Sequence, residues 1–251
     1  MIKKIAVLAL LITGLSSQSF GQDSKKEEDD RKLMFGLKAG ANLSWFKPDS
    51  KNLAKGGFKP GFAYGIMGDY NFQPNYALSI EFLISNLNGK MQFKDSMLYK
   101  NSKTNVELTA GDVAYEYSNK YIQIPVSMKF RTKEIGMIKY YAQFGLAPGI
   151  RISSKVKIDG KNLPWSEDDR KNIKTNESSE EEYEPIDNTF SDDVSFLNIP
   201  LIIGGGIEYN LSGNTSLYVN LRYENGFTNV LKSTATSVFS KNISLSAGIF
   251  F

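Results

Sequence analysis

At 251 residues, 41% hydrophobic and with a mean hydropathy of -0.30, the chain is long enough for one large β domain but too polar for a bundle of membrane helices. The absence of cysteine excludes a disulfide framework and a lipid-modified cysteine, and the absence of histidine removes the commonest general base. Lys and Arg number 30 against 27 Asp and Glu, and no basic stripe interleaved with aromatics occurs, so nothing points to nucleic acid.

Residues 1–21 read as a signal peptide: Lys3 and Lys4 form a basic start, 5–12 an apolar core too short to span a bilayer, and Ser19 and Gly21 put small residues where a signal peptidase reads. Gln22 is the expected mature N-terminus. Residues 22–33, charged and poor in apolar side chains, are expected to be a disordered periplasmic segment, and 34–251 a single barrel domain.

The first strand, 35–46, alternates Phe35, Leu37, Ala39, Ala41, Leu43 and Trp45 with Gly36, Lys38, Gly40, Asn42 and Ser44, the two-residue period of a strand with one apolar face. The second, 58–70, sets Phe62, Tyr64, Ile66 and Tyr70 against Gly61, Ala63, Gly65, Met67 and Asp69. The third, 76–87, sets Leu78, Ile80, Phe82 and Ile84 against Ser79, Glu81, Leu83 and Ser85. A long polar excursion, 88–120, precedes the fourth strand, 121–130, which places Ile122, Ile124, Val126, Met128 and Phe130 opposite Gln123, Pro125, Ser127 and Lys129. The fifth, 138–152, alternates Tyr140, Ala142, Phe144, Leu146 and Ile150 with Tyr141, Gln143, Gly145, Ala147, Gly149 and Arg151.

The longest excursion, 153–195, carries twelve Asp or Glu against six Lys or Arg. In the sixth strand, 196–209, Leu197, Ile199, Leu201, Ile203, Ile207 and Tyr209 point out and Asn198, Ile202, Gly204, Gly206 and Glu208 point in. The seventh alternates Leu217, Val219, Leu221 and Tyr223 with Tyr218, Asn220, Arg222 and Glu224. The eighth runs through Ile243, Leu245, Ala247 and Ile249 to Phe251.

Connections after strands two, four and six are short and the others longer. This asymmetry predicts an all-β, eight-stranded antiparallel up-and-down transmembrane β-barrel with short periplasmic turns and long extracellular loops, 88–120 and 153–195. Threaded up and down, the aromatics fall at two rims: Phe35, Tyr70, Phe72, Tyr76, Tyr140, Tyr209 and Phe251 at the periplasmic one, and Trp45, Phe46, Phe58, Tyr121, Phe196 and Phe227 at the outer one.

Several pieces in fixed order resemble the PorT-like family of outer-membrane β-barrels common in Bacteroidota. They are Gly36-Leu37-Lys38-Ala39-Gly40, Pro60-Gly61-Phe62 with Gly65, Glu81, Tyr121-Ile122-x-Ile124-Pro125, Tyr141 with Gly145, Gly204-x-Gly206, Arg222-Tyr223-x-x-Gly226 and the terminal Phe251. The resemblance implies an eight-stranded barrel and, for the family's namesake, a role in protein secretion. It also implies that Phe251 serves as the signal read by the barrel-assembly machinery.

The inward charges Lys38, Glu81, Lys129, Glu208, Arg222 and Glu224 form the first candidate site, since charges enclosed in so narrow a barrel must pair. They read either as a structural plug or as a gated ion path. Arg222 is expected to pair with Glu81 or Glu208. The acidic excursion reads as a solvated loop or as a contact surface for a basic partner or for cations bridging lipopolysaccharide; it lacks the spacing of a calcium loop. With no Gly-x-Ser-x-Gly elbow, no thiol, no histidine and no phosphate cradle at Gly204-Gly205-Gly206, neither an enzyme nor a bound metal or cofactor is expected.

Three functions stand: an outer-membrane barrel that anchors surface loops and works by contact with another envelope or surface component, with outer-membrane lipid and lipopolysaccharide around it; a secretion-apparatus subunit that docks a periplasmic partner; and a soluble secreted carrier of an apolar ligand whose apolar faces turn inward.

Overall fold

The computed structural model describes residues 31–49, 53–93, 97–101, 107–110, 113–159, 173–175, 194–232 and 237–251. The predicted signal peptide, residues 22–30 and the greater part of the acidic excursion lie outside them.

The two-residue alternation becomes strand almost throughout. The elements are β1 (Leu33–Pro48), β2 (Leu53–Lys55), β3 (Lys59–Gln73), β4 (Tyr76–Phe93), β5 (Met97–Asn101), β6 (Glu107–Ala110), β7 (Val113–Gln123) and β8 (Val126–Arg131). They continue with β9 (Ile138–Leu146), β10 (Gly149–Asp159), β11 (Ile173–Thr175), β12 (Leu197–Asn198), β13 (Pro200–Ser212), β14 (Thr215–Asn229) and β15 (Val238–Phe250). β5, β6 and β11 form a small sheet of their own.

The wall is built from neighbours in sequence. β1 pairs with β3, β3 with β4, and β4 with both β7 and β8. β7 pairs with β10 and β8 with β9, β10 then meets β12, and β9 meets β13. β14 joins β13 to β15, and β15 returns to β1, Gly36 facing Phe250 and Pro48 facing Val238. All these ladders are antiparallel and the pairing closes on itself.

Pro125 splits β7 from β8 and Pro148 splits β9 from β10, because a proline offers no N–H to the ladder. The neighbouring groups carry the wall across: the Ile124 N–H donates to the Pro148 carbonyl at 2.8 Å, and the Ala147 N–H to the Pro200 carbonyl at 2.9 Å. β7 with β8, β9 with β10, and β12 with β13 thus act as single wall segments, eight in the ring. Connections at one end are tight, with only residues 74–75 between β3 and β4 and 213–214 between β13 and β14. Gly213, at φ +55°, supplies the left-handed residue that the second turn needs.

The apolar faces look outward. Leu37, Ile66 and Leu221 are 53%, 55% and 58% exposed, whereas Lys38, Glu81, Lys129 and Arg222 on the opposite parity are buried. This corrects the soluble-carrier expectation, which needs the apolar faces inside. Phe46 and Tyr121, expected at the outer rim, are each 2% exposed and point into the lumen. They sit at rim height but have the inward parity of Ser44 and Gln123.

The excursion 88–120 also differs from expectation. β4 and β7 stay in register from Leu83↔Gln123 to Phe93↔Val113, so residues 88–93 and 113–120 are wall. Inside this extension Phe46, Leu87, Met91, Tyr115, Tyr117 and Val156 are buried together, with Phe46 edge-on to Tyr117 at 5.7 Å between ring centroids. Gly89 makes room for Phe46, whose ring a Cβ there would strike.

Candidate functional site

Side chains from every wall segment converge on the lumen and sort into layers. Deepest toward the short turns lies a quartet of two cations and two carboxylates, Lys129, Arg131, Asp69 and Glu208. Lys129 Nζ donates to Asp69 Oδ2 at 2.6 Å and to Glu208 Oε1 at 3.2 Å. Arg131 Nε donates to Glu208 Oε2 at 2.8 Å, its Nη2 reaches both Glu208 Oε1 (3.1 Å) and Asp69, and its Nη1 donates to the Asn71 amide oxygen at 2.6 Å.

Beside this quartet stand the rings of Tyr141, Tyr218 and Phe250, whose centroids lie 4.8, 5.3 and 5.1 Å from Lys129 Nζ. Tyr141 and Tyr218 stack at 5.8 Å, and Met34 and Met67 complete the cluster. The lysine is thus held by carboxylates and by ring faces.

Farther along the axis lies a second quartet, Lys38, Arg222, Glu81 and Glu224. Glu81 is its hub: it accepts from Lys38 Nζ at 2.8 Å, from Arg222 Nη1 at 3.2 Å and from Arg222 Nη2 at its other oxygen. Glu224 Oε1 lies 3.9 Å from Arg222, and Gln123 donates to Glu224 at 3.5 Å. The Gln143 amide, with its oxygen toward Arg222, accepts from Nε at 2.9 Å and from Nη2 at 3.1 Å. All eight charged side chains are buried, and each quartet is formally neutral. Above them come Asn42, Ser85, Asn119 and Asn242, then the apolar extension. The void beside Lys38, Gln123, Arg222 and Glu224 measures about 10 Å³, room for roughly one water.

All six inward charges singled out from the sequence lie in these two quartets. Arg222 meets Glu81; Glu208 lies one layer lower, with Lys129 and Arg131. Asp69 and Arg131 complete the lower quartet and are absent from the sequence-derived set. The signal for both was parity: Asp69 shares the face of Met67, and Arg131 that of Lys129, although a predicted turn began at Arg131.

Of the rim aromatics, Phe58, Tyr70, Tyr76, Tyr140, Tyr209 and Phe251 are exposed on the outer surface, and Trp45 is half-buried edge-on against Phe58 at 4.9 Å. Tyr76 lies between Phe72 and Phe130, at 6.2 and 5.7 Å. The Phe251 N–H donates to the Phe35 carbonyl at 2.8 Å, which ties the last residue to β1.

Comparison with curated proteins gives no match. Among solved structures, the chain is similar to the outer membrane protein OprG of Pseudomonas aeruginosa (9% identity, TM-score 0.44), covering 88% of this chain and 96% of that one. It is also similar to Neisserial surface protein A (14%, TM-score 0.41; 86% and 97%) and to the attachment invasion locus protein Ail of Yersinia pestis (15%, TM-score 0.36; 88% and 100%). The family described as outer membrane protein beta-barrel domain matches residues 17–232, which take in the wall from β1 through β14. The chain belongs to that family.

Proposed function

We propose that this protein is an eight-stranded up-and-down barrel spanning the outer membrane, with the tight turns in the periplasm and the extended β4, β7 and β10 ends outside. It works without catalysis, by presenting those outer ends to another component of the envelope or cell surface. The lumen supports this reading: two neutral, fully buried ion quartets fill the interior that eight strands enclose, so neither solute passage nor an internal substrate site is available. Function is left to the surfaces at the two ends.

Photo-crosslinking side chains at Lys157, near the outer end of β10, and at Glu134, in the turn between β8 and β9, test it in intact cells. The expected result is partner adducts from Lys157 and none from Glu134. Adducts from Glu134 alone would replace this reading with that of a PorT-like secretion subunit docking a periplasmic partner.

A further inference from the structure

The outer rim is lopsided. On the arc of β1, β12, β14 and β15 the outward side chains at this height include Trp45, Phe196, Phe227 and Phe239, with Phe58 edge-on to Trp45. On the arc of β4, β7 and β10 the outward positions there hold no aromatic. Above Ile84, Ile122 and Ile150 come three rows set by the register: Asn86, Lys120 and Ser153; then Asn88, Ser118 and Lys155; then Lys90, Glu116 and Lys157. Lys59 reaches the same face, its Nζ 2.6 Å from Glu116, while Lys90 lies 3.4 Å from the other carboxylate oxygen.

Five lysines therefore surround one carboxylate on a single sheet face, directly above an isoleucine row. Lys120, Lys155 and Lys157 are exposed, and Glu116 is committed to Lys59 and Lys90. Three strands and two row spacings span about 10 by 13 Å, wider than one phosphate group.

We infer that this face binds a lipid of the adjoining outer leaflet whose headgroup carries more than one phosphate. Its acyl chains lie on Ile84, Ile122 and Ile150, and its phosphates meet Lys120, Lys155 and Lys157. The chemistry is that of lysine as a point-charge phosphate donor, favoured at a membrane surface where acyl chains and headgroup are held together. The adjacency of apolar row and cationic rows selects a lipid over a free phosphate. This inference rests on the membrane-spanning reading above.

The test uses the protein refolded into nanodiscs of phosphatidylcholine doped in turn with diphosphorylated lipid A, monophosphorylated lipid A or phosphatidylglycerol. Lipid retained on extraction into detergent is measured by native mass spectrometry. Diphosphorylated lipid A should be retained above the other three. The triple variant Lys120→Gln, Lys155→Gln, Lys157→Gln should lose that retention by roughly tenfold or more, the triple Lys→Arg variant should keep it, and Lys47→Gln with Lys241→Gln, on the opposite arc, should leave it unchanged. Equal retention by the Gln triple and the parent, or equal retention of the mono- and diphosphorylated lipids, would overturn the inference and leave the membrane reading standing. A parent protein that stays in the aqueous phase would overturn both.

Discussion

Glu81 is the residue whose loss should cost most. It accepts from Lys38 and from two nitrogens of Arg222, so removing it leaves two buried cations with neutral partners and one carboxylate of their quartet, Glu224, 3.9 Å from Arg222. Glu81→Gln should therefore destabilise the barrel by roughly 3 to 5 kcal/mol, measured by urea unfolding in lipid vesicles. The double change Lys38→Met with Glu81→Leu should recover much of that loss, because it leaves Arg222 and Glu224 as a neutral pair. Glu116, beyond the membrane-spanning part of the wall, behaves differently. The hydrogen bond from Lys59 holds its carboxyl below the usual carboxylate range, helped by the charges of Lys59 and Lys90. A lowered folded pKa means that the contact stabilises above the unfolded value, about 4.3, and is lost as pH falls through the folded one. NMR titration of the Glu116 carboxyl should show a midpoint below that of a free glutamate, and Lys59→Met should raise it. The charged lumen was legible because parity alone marks a residue as inward. Which charge meets which was not, since Glu81 and Arg222 lie on strands that never pair and meet only across the lumen.

At the scale of the strand, depth in the bilayer decides what a substitution costs. Ile80, Val126 and Leu221 point outward from β4, β8 and β14 between the two aromatic rims, where nothing can solvate a charge. Arginine at any of them should cost roughly 2 to 4 kcal/mol in lipid, and at Leu197 or Leu217, nearer the two ends, about 1 or less. Equal penalties at both depths, again from unfolding in vesicles, would indicate a soluble sheet. The same depth dependence explains why alternation in the sequence predicts a strand ending at Leu87 and a partner beginning at Tyr121, short of the outer ends of β4 and β7. Below that level the apolar parity faces out; above it Leu87, Met91, Tyr115 and Tyr117 put the apolar parity inside. The two-residue period never breaks, but its sign inverts where the outer solvent changes from hydrocarbon to water, and a rule that follows one apolar face reads the inversion as a loop.

For the molecule as a whole, the filled interior predicts electrical silence. Planar-bilayer recording on the refolded protein should show no steady channels, since two neutral quartets, the aromatic cluster around Lys129 and the apolar extension occlude the lumen in succession. Steady solute-permeable channels would move the protein to the porins and sink the contact reading.

Alternation, loop asymmetry and rim aromatics together determined the β architecture, the direction of nearly every wall side chain and the inward set of charges, because these depend on local period and on what lies on each side of a single sheet. Ring closure by β1 and β15, the partition of eight charges into two neutral quartets, the inward turn of Phe46 and Tyr121 and the lysine face on β4, β7 and β10 were decided only in three dimensions. Each depends on inter-strand register and on distances across the lumen, and neither is encoded in the spacing of residues along the chain.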